Sequence, residues 1–215
     1  GVQTCALPIL AITPVSIPRK EVSINSTRVS SINAIDTQKL SDSLPVLLEQ
    51  VEMCINFLQK RLPGFEESVF SGLAPRIGIR ETRRIMGEYV LTKEDVLGAR
   101  KFADGIAKGG HELDIHGSGT GHIRAQIKDA GSYDIPYGCL VPKNLKNVLV
   151  AGRCLSATRE AHSSARVMGT CMAMGQAAGL AAAMCVRNGY LVRDVPVDQL
   201  RAALIEQGAI LEGTY

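Results

Sequence analysis

The chain has 215 residues, 46% of them hydrophobic and 21% charged, with a formal net charge of +3. That balance belongs to a globular protein able to bury a core, and so small a charge, gathered into no basic run, implies neither nucleic acid nor a membrane surface as partner. With aromatics at 4% and no Trp, base-stacking and aromatic sugar-binding platforms are excluded as well, which leaves small molecules. Six cysteines without Cys-x-x-Cys spacing argue against a zinc ribbon or a dithiol pair and read as reduced thiols, as expected of a cytoplasmic protein.

Residues Gly1 to Ile9 begin without Met, fit no period, and look like the translation of a common sequencing adapter. They are expected to be a non-native scar, with the natural protein continuing upstream of Leu10. Alternation from Glu21 to Ile35 predicts a hairpin turning at Asn25-Ser26. From Asp42 to Lys60, Leu44, Leu47, Leu48, Val51, Ile55 and Leu58 recur at helical spacing, which predicts one buried helix face ended by Pro63-Gly64. Thr92-x-x-Asp95 is a capping-box pattern and predicts a second helix, running to about Lys108 and stopping at Gly109-Gly110.

Ile135-Pro136 marks Tyr133 to Tyr137 as an extended edge element. The continuous apolar run from Asn147 to Arg153 predicts a strand buried on both faces. A helix rich in Ala and Gly follows from about Gly169 to Arg187, stopped by Asn188-Gly189, and a short amphipathic helix covers Asp198 to Gln207. The fold class is therefore α/β, with an α+β character in the first part.

Two stretches carry chemistry. Arg76, Arg80, Arg83 and Arg84 cluster beside glycines, a pattern suited to an anion. Between Gly152-Arg153 and the Ala/Gly helix lie Arg159, Glu160, His162 and Arg166. A helix of small residues can press its backbone against a sheet or a planar cofactor, and its N-terminal N–H groups suit an electron-rich oxygen.

Other readings compete. Val167 to Val186 is twenty residues without a charge and contains Gly175-x-x-x-Gly179, the pattern of a membrane span. Leu180 is its sole leucine, however, and Thr170 and Gln176 interrupt it, so a protein interior suits it better than hydrocarbon. His111, Asp114, His116 and His122 raise a metal-dependent hydrolase, but their spacing matches no ligand motif. A binding module without cofactor is the remaining alternative. Gly117-Ser-Gly-Thr-Gly121 follows no strand and lacks the third glycine of a dinucleotide fingerprint, so it reads as a flexible substrate-side loop.

Gly78-Ile-Arg-Glu-Thr-Arg-Arg84, Gly87-Glu-Tyr-Val-Leu-Thr92, Asp114-Ile-His116, Tyr133-Asp-Ile-Pro-Tyr137 and Asn147-Val-Leu-Val-Ala-Gly-Arg-Cys-Leu-Ser156 together resemble the C-terminal half of the FAD-dependent oxidoreductases related to fumarate reductase flavoproteins. The likeness continues through Ala161-His162, Arg166-Val-Met168 and Gly175-Gln-Ala-Ala-Gly179. It implies a substrate or cap region over residues 10–146, and over 147–215 the last strand and helix of a Rossmann-like FAD-binding domain whose N-terminal half would be a missing partner. It also implies hydride transfer between FAD and a small anionic substrate. Gly152, Arg153, Met168, Gly169, Thr170 and Cys171 would then face the cofactor. His116 or His162 would move the proton, and Arg80, Arg83 and Arg166 would hold substrate. Many such proteins end the late strand in Gly-Asp. Here Arg153 follows Gly152, so the acid's contact is not carried over.

Overall fold

Strand β1 (Ala11–Ser16) pairs antiparallel with β2 (Glu21–Asn25), the chain turning at Ile17 to Lys20, where the Lys20 N–H donates to the Ile17 carbonyl at 3.1 Å. The expected hairpin therefore exists one strand earlier than its pattern placed it: Glu21–Asn25 is the second strand, and Asn25-Ser26 is not the turn. These elements come from a computed structural model that describes residues 11–116 and 122–213, in two units: 11–82, and 83–116 with 122–213. The expected scar and the Gly117 to Gly121 loop lie outside the described residues. The expected division at 146/147 falls inside the second unit.

Helix α1 (Thr37–Arg61) starts five residues before the periodic pattern does, because Asp36 caps it by accepting from the Gln38 and Lys39 N–H groups. Its inward stripe is Ser43, Leu47, Val51, Cys54 and Leu58, while Leu44 and Leu48 are exposed, contrary to expectation. Polar side chains on that stripe explain the rotation. Gln50 exchanges two hydrogen bonds with the Arg28 backbone, and Cys54 accepts from the Ser26 hydroxyl at 3.2 Å, so the flanking chain is tied to this face.

The second unit is built on strands β3 (Gly105–Gly109) and β6 (Tyr133–Pro136), paired antiparallel with Lys108 opposite Asp134. A second ladder joins β4 (Leu113–His116) to β5 (His122–Ala125). The capping box at Thr92 forms as expected, but helix α2 (Lys93–Leu97) ends at Gly98, and the residues expected to extend it form β3 instead. Gly105 and Gly109 decide this. Each lies so close to a side chain of β6, Asp134 and Tyr133 respectively, that a Cβ could not fit.

Helices α3 (Arg159–Ala165), α4 (Met168–Asn188) and α5 (Val197–Glu206) complete the unit. Gly189, at φ 73°, ends α4 in the left-handed conformation its position requires. Thr170, Met174, Ala177 and Ala181 form the buried stripe of α4 against β3 and α5, and Leu200 and Leu204 of α5 close the core. α4 is long and apolar enough by length and composition to cross a membrane, and its inner stripe belongs to this core. Gly169, Gly175 and Gly179, expected to give close contact, instead face open space, and it is the alanines that let the helix approach the strand.

A further departure concerns residues 148–150. They form no strand and pair in no ladder among the described residues: Val148 is exposed, and Val150 donates a backbone bond to the Leu140 carbonyl at 2.9 Å. An apolar run specifies a strand only when partners flank it on both sides.

Asp95 is almost fully buried in the α2 cap and accepts from the Thr92 N–H at 2.9 Å, the Tyr89 hydroxyl at 2.8 Å and the Arg100 guanidinium at 2.8 Å. Burial alone would raise its carboxyl, but those donors outweigh it and hold the group below the ordinary range. A depressed acid stabilises the fold above its unfolded value, about pH 4, and that contribution is lost as pH falls through the lower folded value. Asp95→Asn is therefore expected to lower the urea midpoint at pH 7, with the gap from the parent narrowing steadily towards pH 2. A gap independent of pH would contradict this.

Gly87 bridges to Pro142, and a Cβ there would stand 2.7 Å from both the Gly138 carbonyl oxygen and Ser156 Cβ. One neighbour is backbone and cannot swing aside. Gly87→Ala is expected to cost about 1–3 kcal/mol by overpacking, read as a lower urea midpoint at unchanged slope.

Candidate functional site

Thr158 opens α3 with its hydroxyl accepting from the Ala161 N–H, while its own N–H donates to the Leu91 carbonyl at 2.8 Å. The helix that follows is buried from Ala161 through Ala165, so its polar side chains must find partners inside the protein. Ser163 Oγ donates to the Glu160 carbonyl at 2.7 Å and accepts from the Asp114 N–H at 3.1 Å. Ser164 Oγ donates to the His111 carbonyl and accepts from the Tyr133 hydroxyl at 2.8 Å. Burial pushes the Tyr133 phenol upward, so it stays protonated and serves as the donor. Arg166, the C-cap of α3, reaches the Asp114 carbonyl through Nη2 at 3.4 Å. These bonds fasten α3 along β4, the strand that His116 terminates.

His162 is 0% exposed, and its Nε2 lies 2.8 Å from the Arg153 carbonyl oxygen. A carbonyl only accepts, so Nε2 carries the proton and donates it. The imidazole thereby holds the 3₁₀ turn Gly152–Cys154 against α3. Gly152 has φ +75°, which a residue with a side chain rarely adopts, and the turn rests on the first turn of α4, with the place of a Gly152 Cβ 3.7 Å from Cys171 Sγ. The Cys171 thiol lies 3.3 Å from the Arg166 carbonyl and is raised by burial, so it behaves as a packed thiol.

Val167 offers no side-chain cap, and the first bond of the helix is from the Cys171 N–H to the Val167 carbonyl at 3.0 Å. The N–H groups of Met168, Gly169 and Thr170 therefore have no acceptor within α4. Met168 is 77% exposed, and nothing lies within 4 Å of where a Gly169 Cβ would be. The result is an open helix N-terminus, positive by its dipole, beside the Arg153 turn.

Gly152, Arg153, His162, Arg166, Met168, Gly169, Thr170 and Cys171 are thus brought together in the second unit. His116 ends β4, the strand that packs on α3, with its backbone opposite that of His122. Arg80 is exposed in the first unit and Arg83 is exposed in the second. Among the described residues, no group of three or more His, Cys, Asp or Glu side chains stands ready for a metal ion, and the five described cysteines are free thiols. Ser163, Ser164 and Tyr133 were not singled out from the sequence. Their signal was faint: two serines between alanines in a segment otherwise apolar enough for a core.

The second unit thus combines helices and small antiparallel ladders, with the uncapped N-terminus of its longest helix beside a left-handed glycine turn. Residues 4–204 match the model of the family described as FAD dependent oxidoreductase, and the chain belongs to that family. FAD is accordingly its cofactor and oxidoreduction its class of chemistry. Comparison with the curated proteins and with the solved structures returns no match.

Proposed function

We propose that this chain supplies the substrate side and the flavin-edge helix of an oxidoreductase related to the fumarate reductase flavoproteins, and that it exchanges hydride with a small anionic organic substrate in the cytoplasm. The observation that carries the reading is the open α4 N-terminus set against the Gly152 turn. When bound, FAD supplies the hydride-accepting N5 position. The N–H groups of Met168, Gly169 and Thr170, with Arg153 beside them, suit the carbonyl edge of its ring, where negative charge gathers on reduction.

Arg166 orients the substrate's anionic group, with Arg80 and Arg83 as further candidates. Because His162 is enclosed and donates to the Arg153 carbonyl, its part is to position the turn, which leaves proton transfer to His116. Residues 148–150 and the outer face of α4, with Met168, Met172, Gly175 and Gly179, are the surfaces that a Rossmann-like N-terminal half would cover. An apolar run without a ladder and an exposed apolar helix face both support such a partner.

Full-length protein from the intact gene is expected to purify yellow, with a flavin absorbance that persists through gel filtration. A colourless preparation that cannot be reconstituted with FAD would overturn the reading and favour a binding module.

A further inference from the structure

A cavity of about 560 Å³ opens in the second unit away from the Gly152 turn, between β3, residues 130–132, the Ala173 and Gln176 face of α4, and the end of α5. Ile106, Ala107, Leu204 and Leu211 give it apolar walls, and Lys108 and Ser132 are polar groups on its lining. Its volume is that of a small-molecule site.

The charges beside it do not balance. Asp134, 5% exposed, accepts from the Phe102 N–H at 3.0 Å and from Lys108 Nζ at 2.9 Å, directly across the β3–β6 ladder. That pair alone neutralises the carboxylate. Lys101 is a second cation, 3.8 Å from the same oxygen and bonded through Nζ to the lining residue Ser132, to its carbonyl at 2.5 Å and its hydroxyl at 3.3 Å. Two ammonium groups share one carboxylate, and the ladder needs only one of them. Burial and the like charge of Lys108 hold the Lys101 ammonium below its ordinary value, a cost that a second anion would relieve.

We propose that this cavity is a binding site for a small aliphatic carboxylate, with its anionic head between Lys101, Lys108 and the Ser132 hydroxyl and its hydrocarbon body against Ile106, Ala173 and Leu204. One surplus positive charge matches a monoanion, and the apolar walls match an aliphatic body. None of its lining residues belongs to the Gly152 turn or to the first turn of α4.

The test uses the full chain with hexanoate, comparing hexan-1-ol and hexylammonium by saturation-transfer NMR and titration calorimetry. Hexanoate is expected to bind saturably and the other two at least about tenfold more weakly, the discrimination expected of charge-assisted hydrogen bonds. Lys101 is 39% exposed, so Lys101→Gln leaves the Asp134–Lys108 pair in place and should fold. It is expected to weaken hexanoate by about tenfold to a hundredfold, Lys101→Arg should retain binding, and Ala173→Phe, which fills the cavity, should abolish it. Equal binding of hexan-1-ol, or unchanged hexanoate affinity in Lys101→Gln, would overturn the proposal.

Discussion

His116→Gln is expected to slow the single-turnover flavin half-reaction by about 10²–10⁴-fold, the usual worth of a positioned acid or base, with flavin still bound. His111 is exposed, its Nδ1 2.7 Å from the carbonyl of its own neighbour Glu112. His162 is fully enclosed in α3, its Nε2 proton given to the Arg153 carbonyl, which commits the ring to holding that turn. His116 ends β4, two residues beyond Asp114, whose carbonyl accepts from Arg166 and whose N–H donates to Ser163. A pH inflection in the parent's half-reaction is expected to be absent from the variant. His162→Gln should instead keep the inflection and lower flavin retention, because the Gly152–Cys154 turn loses its tether. His122, opposite His116 in the ladder, serves as the control. A His116 variant that reacts at the parent rate with its pH inflection intact would remove it from the chemistry.

How far the sequence carried this picture depended on whether the determining forces were local. The Thr92 capping box, the Gly189 stop of α4 and the Leu200/Leu204 face of α5 were legible because each is decided within four or five residues. The length of α2 was not. Its expected continuation looked helical alone, but Gly105 and Gly109 lie against Asp134 and Tyr133, roughly thirty residues away in the chain, and only the β6 partner turns that stretch into a strand. The face of α1 was misjudged for a related reason. Leu44 and Leu48 fall on the outer side, because Gln50 and Cys54 bond to chain around Ser26 and Arg28 and set the rotation. At the site, the Gly152-Arg153 turn and α4 were readable as a motif. The staples from Ser163, Ser164 and Tyr133 were not, because a hydroxyl's partner in a buried helix lies on another element.

Arg166→Met is expected to raise the substrate dissociation constant by about tenfold to a hundredfold, the worth of hydrogen bonds to a charged group, while flavin content and the rate at saturating substrate stay close to the parent's. A guanidinium carries five N–H donors in a fixed plane, and the Asp114 carbonyl takes one of them at 3.4 Å, which sets the plane beside β4. An anion that binds there meets a cation already oriented, so little conformational entropy is lost on binding. Arg166→Lys separates charge from geometry. A lysine keeps the charge but lacks the planar fork, so it should recover only part of the affinity, and recovery should be least for a carboxylate held through both oxygens. Salt gives an independent reading, because a binding step driven by charge weakens as ionic strength rises, and the parent should show that dependence more steeply than Arg166→Met. Arg80→Met and Arg83→Met are the comparison, both residues being exposed. If either of them raises the dissociation constant and Arg166→Met does not, the anion is held by the arginine-rich segment, and Arg166 serves only to fasten α3 to β4.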